Sequence, residues 1–181
     1  RTILCRISFR KTDLLMNFQT GFIAVVGRPN VGKSTLINEL IGQKLSITSH
    51  KPQTTRHRIH AIDTQSNYQM IFVDTPGIHI GNKKAINSYM NKTASSSFSE
   101  VDMILWLVEA LKWTKEDQRV MEHLIKIEVP IILCVNKIDN LNTKDKILPY
   151  LEKLGEKFKA NEVFPLSAFK KNHTNDLRKL I

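Results

Sequence analysis

The segment Gly27-Arg28-Pro29-Asn30-Val31-Gly32-Lys33-Ser34 limits what this chain can become more than any other. It follows an apolar run, FIAVVG at residues 22–27, and precedes Leu36, Ile37, Leu40 and Ile41 at helical spacing. The pattern is GxxxxGK[ST] between a strand and a helix, the setting in which it has a mechanism. Its glycines let consecutive backbone N–H groups curl around phosphate oxygens. The helix start adds positive potential. Lys33 can reach the β- and γ-phosphates of a nucleotide, and the Ser34 hydroxyl can ligate Mg²⁺.

The rest of the pattern agrees with such a loop. Strand-like runs are expected at 22–27, 57–62, 69–74, 103–108, 130–135 and 163–166, and helices at 33–41, 86–98, 115–126 and 147–158, with a last one opening at 175. Thr114 reads as an N-cap. Residues 43–56 read as a long loop, a kind of segment that is often functional. Strands alternating with helices imply an α/β fold with a mostly parallel sheet.

Two further motifs follow apolar strands. Asp74-Thr75-Pro76-Gly77 ends the run YQMIFV. An Asp at the carboxyl end of a parallel strand faces the ligand crevice. Asp74 is expected to hold Mg²⁺ through a water, and the Gly77 N–H to sense the γ-phosphate. Asn136-Lys137-Ile138-Asp139 follows IILCV. The Asp139 carboxylate can accept hydrogen bonds from the N1–H and N2–H₂ groups of guanine. Adenine has neither donor, and a buried polar site rejects such a partner by about 10⁴–10⁵-fold. The Lys137 stem can lie over the base, and Asn136 can tie this loop to the phosphate loop. Ser167-Ala168, after EVFPL, is expected to offer a backbone N–H to guanine O6.

Composition narrows the class. At 181 residues, 41% hydrophobic and 24% charged, the chain suits one folded domain and excludes collagen-like or generically disordered chains. Its 27 Lys and Arg against 17 acids, a net charge of +10, favour a polyanionic partner: nucleotide, nucleic acid or an anionic membrane surface. The apolar runs, such as 101–108, are too short for a membrane span. Two cysteines, Cys5 and Cys134, exclude a disulfide scaffold and a Cys-rich zinc site, and point to a reducing compartment. Cys134 is expected to be a buried thiol. Trp106 and Trp113 read as core and rim, not as base-stacking platforms. Residues 43–60 contain Lys44, Lys51, Arg56 and Arg58, with His50, His57 and His60 and no acid. They form either a conformation-dependent surface for RNA or ribosomal partners or a solvated loop, and their histidines lack zinc-site spacing.

The ordered set GRPNVGKS, DTPG, NKID and SA resembles the translation-factor-related P-loop GTPases. GFIAVVGRPNVGKSTLIN, SITSHKPQTTRHRIHAI, FVDTPGIH, INSYMNKTASSS and VNKIDN resemble the G domain of the bacterial Era-type GTPases, from about residue 21 to 181. The resemblance implies a three-layer P-loop fold with a six-stranded, mostly parallel sheet and helices on both faces. It implies nucleotide contacts that also include Thr35, Ile78 and Ile138, and switch regions near 43–60 and 76–98. Within them Thr55 would close onto Mg²⁺ and, with Lys33, serve the transition state. Asn30 matches an asparagine that helps hold a potassium ion beside the phosphates in related GTPases.

It also implies a C-terminal KH domain in the full-length protein, which this chain ends before reaching. Binding of GTP and GDP, small-subunit (16S) ribosomal RNA and the 30S subunit follows from the resemblance, the RNA mainly through the KH domain. So do a role in small-subunit maturation, a monomer, and a cytoplasmic location with peripheral contact to the inner membrane. Residues 1–15, with four basic residues and one acid, match no segment of the resemblance and are read as a non-native or disordered leader to a G domain at 16–181, with an Arg-rich targeting peptide as the alternative.

The expected reaction is hydrolysis of GTP to GDP and phosphate. Ras-like enzymes place a water-orienting Gln just after DxxG. Here that position is Ile78, which cannot serve, and no catalytic base is identified; the adjacent His79 reads as a solvent-facing switch residue. Slow intrinsic turnover is expected, on the order of 10⁻³ s⁻¹, a barrier of about 21–22 kcal/mol. The competing readings are a guanine-nucleotide sensor whose hydrolysis is negligible until a partner or K⁺ completes the site, and an ATP-dependent P-loop enzyme, against which NKID argues.

Overall fold

The computed structural model describes residues 18–42, 58–74, 101–141, 144–158 and 160–181, with the backbone alone at 58–60, 74 and 144. The first apolar run forms β1 (Gln19–Val26) and leads through the phosphate loop into α1 (Lys33–Ile41), which stops at Gly42, where φ is positive (69°). Then come β2 (Arg58–Thr64) and β3 (Tyr68–Asp74), an antiparallel pair turned by a hydrogen bond from the Gln65 N–H to the Tyr68 carbonyl (2.8 Å). The remaining strands and α-helices among the described residues are β4 (Met103–Glu109), α2 (Lys115–Leu124), β5 (Ile131–Asn136), α3 (Ile147–Lys157), β6 (Glu162–Pro165) and α4 (Thr174–Leu180).

The strands form one sheet in the order β2-β3-β1-β4-β5-β6, parallel except for β2 against β3. The expected six-stranded, mostly parallel sheet is therefore present. β1 lies between β3 and β4, so the chain winds one way and then the other from it. Ligands bind at the carboxyl ends of strands beside such a reversal.

Alternating side chains supply two cores. Ala24, Val26, Trp106, Leu133 and Val135 pack with Val120, Met121 and Leu124 of α2 and Leu154 of α3 on one face. Ile23, Val25, Leu105, Leu107 and Cys134 pack with Leu36, Ile37 and Leu40 of α1 and Leu177 of α4 on the other. Helices thus cover both faces, which is why β4 and β5 read as continuous apolar runs. Trp106 is fully buried and meets Phe158 edge-on at 4.9 Å, while Trp113 is partly buried at the margin, as expected of core and rim. Cys134 is a buried thiol.

Most boundaries differ from the sequence reading by one to three residues, and the largest difference, at the start of β1, arises because ladder pairing runs beyond the apolar stretch. β1 opens at Gln19, which pairs with Tyr68 although its own side chain is exposed. Thr114 is the N-cap of α2 in a reciprocal capping box with Asp117. The expected helix at 86–98, the loop at 43–56 and the leader at 1–15 lie outside the described residues.

Candidate functional site

The carboxyl end of β5 and the segments that follow β1, β5 and β6 meet around a cavity of about 590 Å³. Among the described residues its wall includes Pro29, Asn30, Gly32, Lys33, Ser34 and Thr35 from the phosphate loop, Lys137 and Asp139 from the loop after β5, and Ala168 after β6. The sequence motifs at 27–34, 136–139 and 167–168 are thus brought to one place.

The phosphate loop is shaped by backbone geometry. Gly27 has φ 145°, and a Cβ there would lie 2.4 Å from the Leu107 carbonyl oxygen. Gly32 has φ 102°, and its Cβ would lie 2.3 Å from Nδ2 of Asn136. Only glycine fits either position. Asn30 also adopts the left-handed region (φ 62°). Lys33 Nζ donates to the carbonyls of Gly27 (2.8 Å) and Arg28 (2.9 Å), so its ammonium is folded back over its own loop. Ser34 is exposed at the head of α1 and lines the cavity, a hard oxygen donor suited to Mg²⁺.

Two motif residues face away from the cavity. Val31 is fully buried in the core. Arg28 is 8% exposed, and its guanidinium donates to Glu109 Oε2 (2.7 Å) and Asp117 Oδ2 (3.3 Å). Its contribution to a ligand would come through the backbone.

The base corner is shaped by side chains. Asn136, 2% exposed, donates from Nδ2 to the Val31 carbonyl (2.8 Å) and accepts at Oδ1 from the Ala168 N–H (3.0 Å). It fastens three loops, one more than the sequence suggests. The backbone N–H groups of Ser167-Ala168, one of them expected at guanine O6, are both engaged within the protein: that of Ala168 by this asparagine and that of Ser167 by the Asn172 carbonyl (3.1 Å). Ser167, fully buried, donates its hydroxyl to Asp139 Oδ1 (2.5 Å) and accepts from the Lys170 N–H (3.0 Å). That bond orients the Asp139 carboxylate at the cavity wall. Lys137 stands in the left-handed region (φ 67°) with its ammonium 3.2 Å from Glu109 Oε2. Ile138 packs against the core.

Glu109 and Asp117, which hold Arg28, and Asn140 and Phe169, which line the cavity, escaped the sequence reading. Glu109 had a usable signal, since it is an acid closing a parallel strand, as Asp74 is. Burial pushes its carboxyl up, but hydrogen bonds from Arg28 and Lys137 and the charges of Lys137 and Lys112 outweigh this and hold it below the usual range. Asp74 ends β3, with only its backbone described. Thr55, Thr75, Pro76, Gly77, Ile78 and His79 lie outside the described residues.

Residues 22–137 match the family model described as 50S ribosome-binding GTPase. The chain belongs to this GTPase family. It is 51% identical to GTPase Era of Actinobacillus pleuropneumoniae serotype 5b (strain L20) over 161 residues, 89% of this chain and 53% of that protein. It is 48% identical to GTPase Era of Vibrio vulnificus (strain YJ016) over 170 residues, 94% of this chain and 53% of the relative. The chain therefore spans about half the length of the GTPases it matches. Its fold also resembles a crystal structure of Era in complex with MgGDPNP and nucleotides 1506–1542 of 16S ribosomal RNA. The TM-score is 0.70 at 35% identity, over 90% of this chain and 55% of that one. An Aquifex aeolicus Era variant bound to GDP.AlF4⁻ gives 0.69 at 35% identity, over 88% of this chain and 55% of that one. The match is thus to GTPases of the Era type, as the motifs imply.

Proposed function

We propose that this chain is the G domain of a slow, Mg²⁺-dependent GTP-hydrolysing switch that acts in the cytoplasm in assembly of the small ribosomal subunit. The observation that carries the reading is the opposed pair of loops in one cavity: a glycine-shaped phosphate loop at one end and, at the other, an Asp139 carboxylate oriented by Ser167. A phosphate chain and a guanine edge are the two ends of a single ligand class. The names of the relatives support hydrolysis and an RNA partner: they are called GTPase Era, and one Era structure holds MgGDPNP with a 16S ribosomal RNA segment. In the full-length protein the RNA would be held mainly outside these residues, by a KH domain. A monomer, and peripheral contact with the inner membrane, belong to the same proposal.

In the reaction, a water oxygen forms a bond to the γ-phosphorus, the bond from that phosphorus to the β–γ bridging oxygen breaks, and the water's proton leaves to solvent or phosphate. Lys33 would release its loop carbonyls and turn its ammonium to the β- and γ-phosphates. Ser34, Asp74 and Thr55 would hold Mg²⁺, and Asn30 a potassium ion. When bound, these ions neutralise charge on the phosphates. Loss of the γ-phosphate would release the switch segments. Ile78 in place of a polar water-orienting side chain favours the second reading, a sensor that waits for K⁺ or a partner.

Competition between GDP and ADP against a fluorescent nucleotide tests the assignment. GDP is expected to win by at least about a thousandfold, and a preference for ADP would remove the role of Asp139. Single-turnover hydrolysis with and without K⁺ and ribosomal subunits separates switch from sensor. Ile78→Ala is expected to leave basal hydrolysis within about tenfold; complete loss would show that the side chain shapes the water site.

A further inference from the structure

One carboxylate joins the two loops that would grip opposite ends of the nucleotide. Glu109 closes β4, and the β4–β5 register sets it beside Asn136. Its Oε2 accepts from Arg28 Nη2 at 2.7 Å and from Lys137 Nζ at 3.2 Å. Arg28 belongs to the phosphate loop and Lys137 to the base loop. Arg28 is clamped from its other side by Asp117 (3.3 Å), which is fully buried and itself held by the Thr114 N–H (2.9 Å) and hydroxyl (2.8 Å). The chain of contacts therefore runs from the head of α2 through Asp117, Arg28 and Glu109 to Lys137, and ends at the cavity wall. Lys112, exposed, approaches the other oxygen of Glu109 at 3.7 Å.

A free lysine ammonium beside a cavity would extend into water. Tied to Glu109, it stays put and leaves its methylene stem as the surface offered to a base. The same oxygen fixes that stem relative to the phosphate loop. A ligand that spans two half-sites gains from both only when their separation is set beforehand.

We propose that Glu109 is a positioning residue for guanine-nucleotide binding, coupling the base half-site to the phosphate half-site by holding Lys137 and Arg28 on one carboxylate oxygen. This rests on the guanine-nucleotide reading given above.

The test compares three probes in the presence of Mg²⁺: guanosine, pyrophosphate and GDP, each competed against a fluorescent GDP derivative. Glu109→Gln removes the charge at nearly constant shape. It is expected to weaken GDP about tenfold through faster release, while guanosine and pyrophosphate alone change by less than about threefold. Glu109→Asp keeps the charge and is expected to retain more GDP affinity than Glu109→Gln; it also serves if the glutamine variant does not fold. Lys112→Ala, which touches only the other oxygen, is expected to bind GDP as the parent does. A glutamine variant with unchanged GDP affinity would overturn the role, as would one that loses all three probes by the same factor, since that is general damage. A parent chain without affinity for GDP would instead remove the nucleotide reading itself, and this inference with it.

Discussion

The phosphate loop and the base corner solve their problems with different parts of the chain. The loop is backbone: Gly27 and Gly32 occupy conformations and spaces that no side chain tolerates. The corner is side chain: Asn136, Asp139 and Ser167 build it by hydrogen bonds. Phosphates are alike in every nucleotide, so main-chain N–H groups suffice for them. A purine edge is distinguished only by its pattern of donors and acceptors, so its recognition depends on a particular carboxylate. The loop should therefore fail through shape, and the corner through chemistry.

Three substitutions and a pH series probe that division. The largest effect is expected from Gly32→Ala, whose Cβ would strike Asn136 while the backbone stays left-handed. The cost to binding is about 3 kcal/mol or more, over a hundredfold in GDP affinity by competition. Near-normal binding would mean that the loop relaxes freely and that shape is not its constraint. Asp139→Asn comes next: its amide cannot accept both guanine donors, and GDP affinity should fall roughly a hundredfold with the ligand-free Tm nearly unchanged. A xanthine diphosphate, with an oxygen where guanine has N2, should recover part of the loss. If GDP and its xanthine counterpart weaken together, Asp139 does not read the base edge.

Asn136→Ala would strand the Val31 carbonyl and the Ala168 N–H in a buried site, costing about 2–3 kcal/mol of stability. Thermal melts should show this as a drop of roughly 5–10 °C; an unchanged melt would show that water replaces the side chain. The smallest effect concerns Glu109, whose carboxyl is held below its ordinary value of 4.5. A depressed folded pKa contributes stability above the unfolded value, and that contribution is lost as pH falls through the folded one. The parent's advantage over Glu109→Gln in denaturant melts should therefore be full at neutral pH and shrink in acid below 4.5. Arg28, Lys137, Lys112 and, through Arg28, Asp117 face this group and are present in both proteins. An advantage independent of pH would mean that the pairs contribute no net charge stabilisation.

The division also explains what the sequence made legible. The loop could be read because left-handed geometry in close quarters demands glycine at 27 and 32. Asp139 could be read because the chemistry of guanine admits few partners. The Arg28–Glu109–Lys137 contacts could not, because they join residues far apart in the chain and depend on the register of β4 with β5. Nothing in GRPNVGKS says that its arginine turns inward. Strand ends such as Gln19 were missed for a related reason: pairing continues where burial stops, and only burial leaves a hydrophobic trace.

Cys134 lies in the middle of β5, fully buried, two residues before Asn136, and burial pushes its thiol far above its usual pKa. An alkylating reagent reaches that sulfur only when the sheet opens around it. Its labelling, followed on the peptide that contains it, is therefore a native clock for unfolding. Any nucleotide that binds the closed form must slow that clock in proportion to its own occupancy.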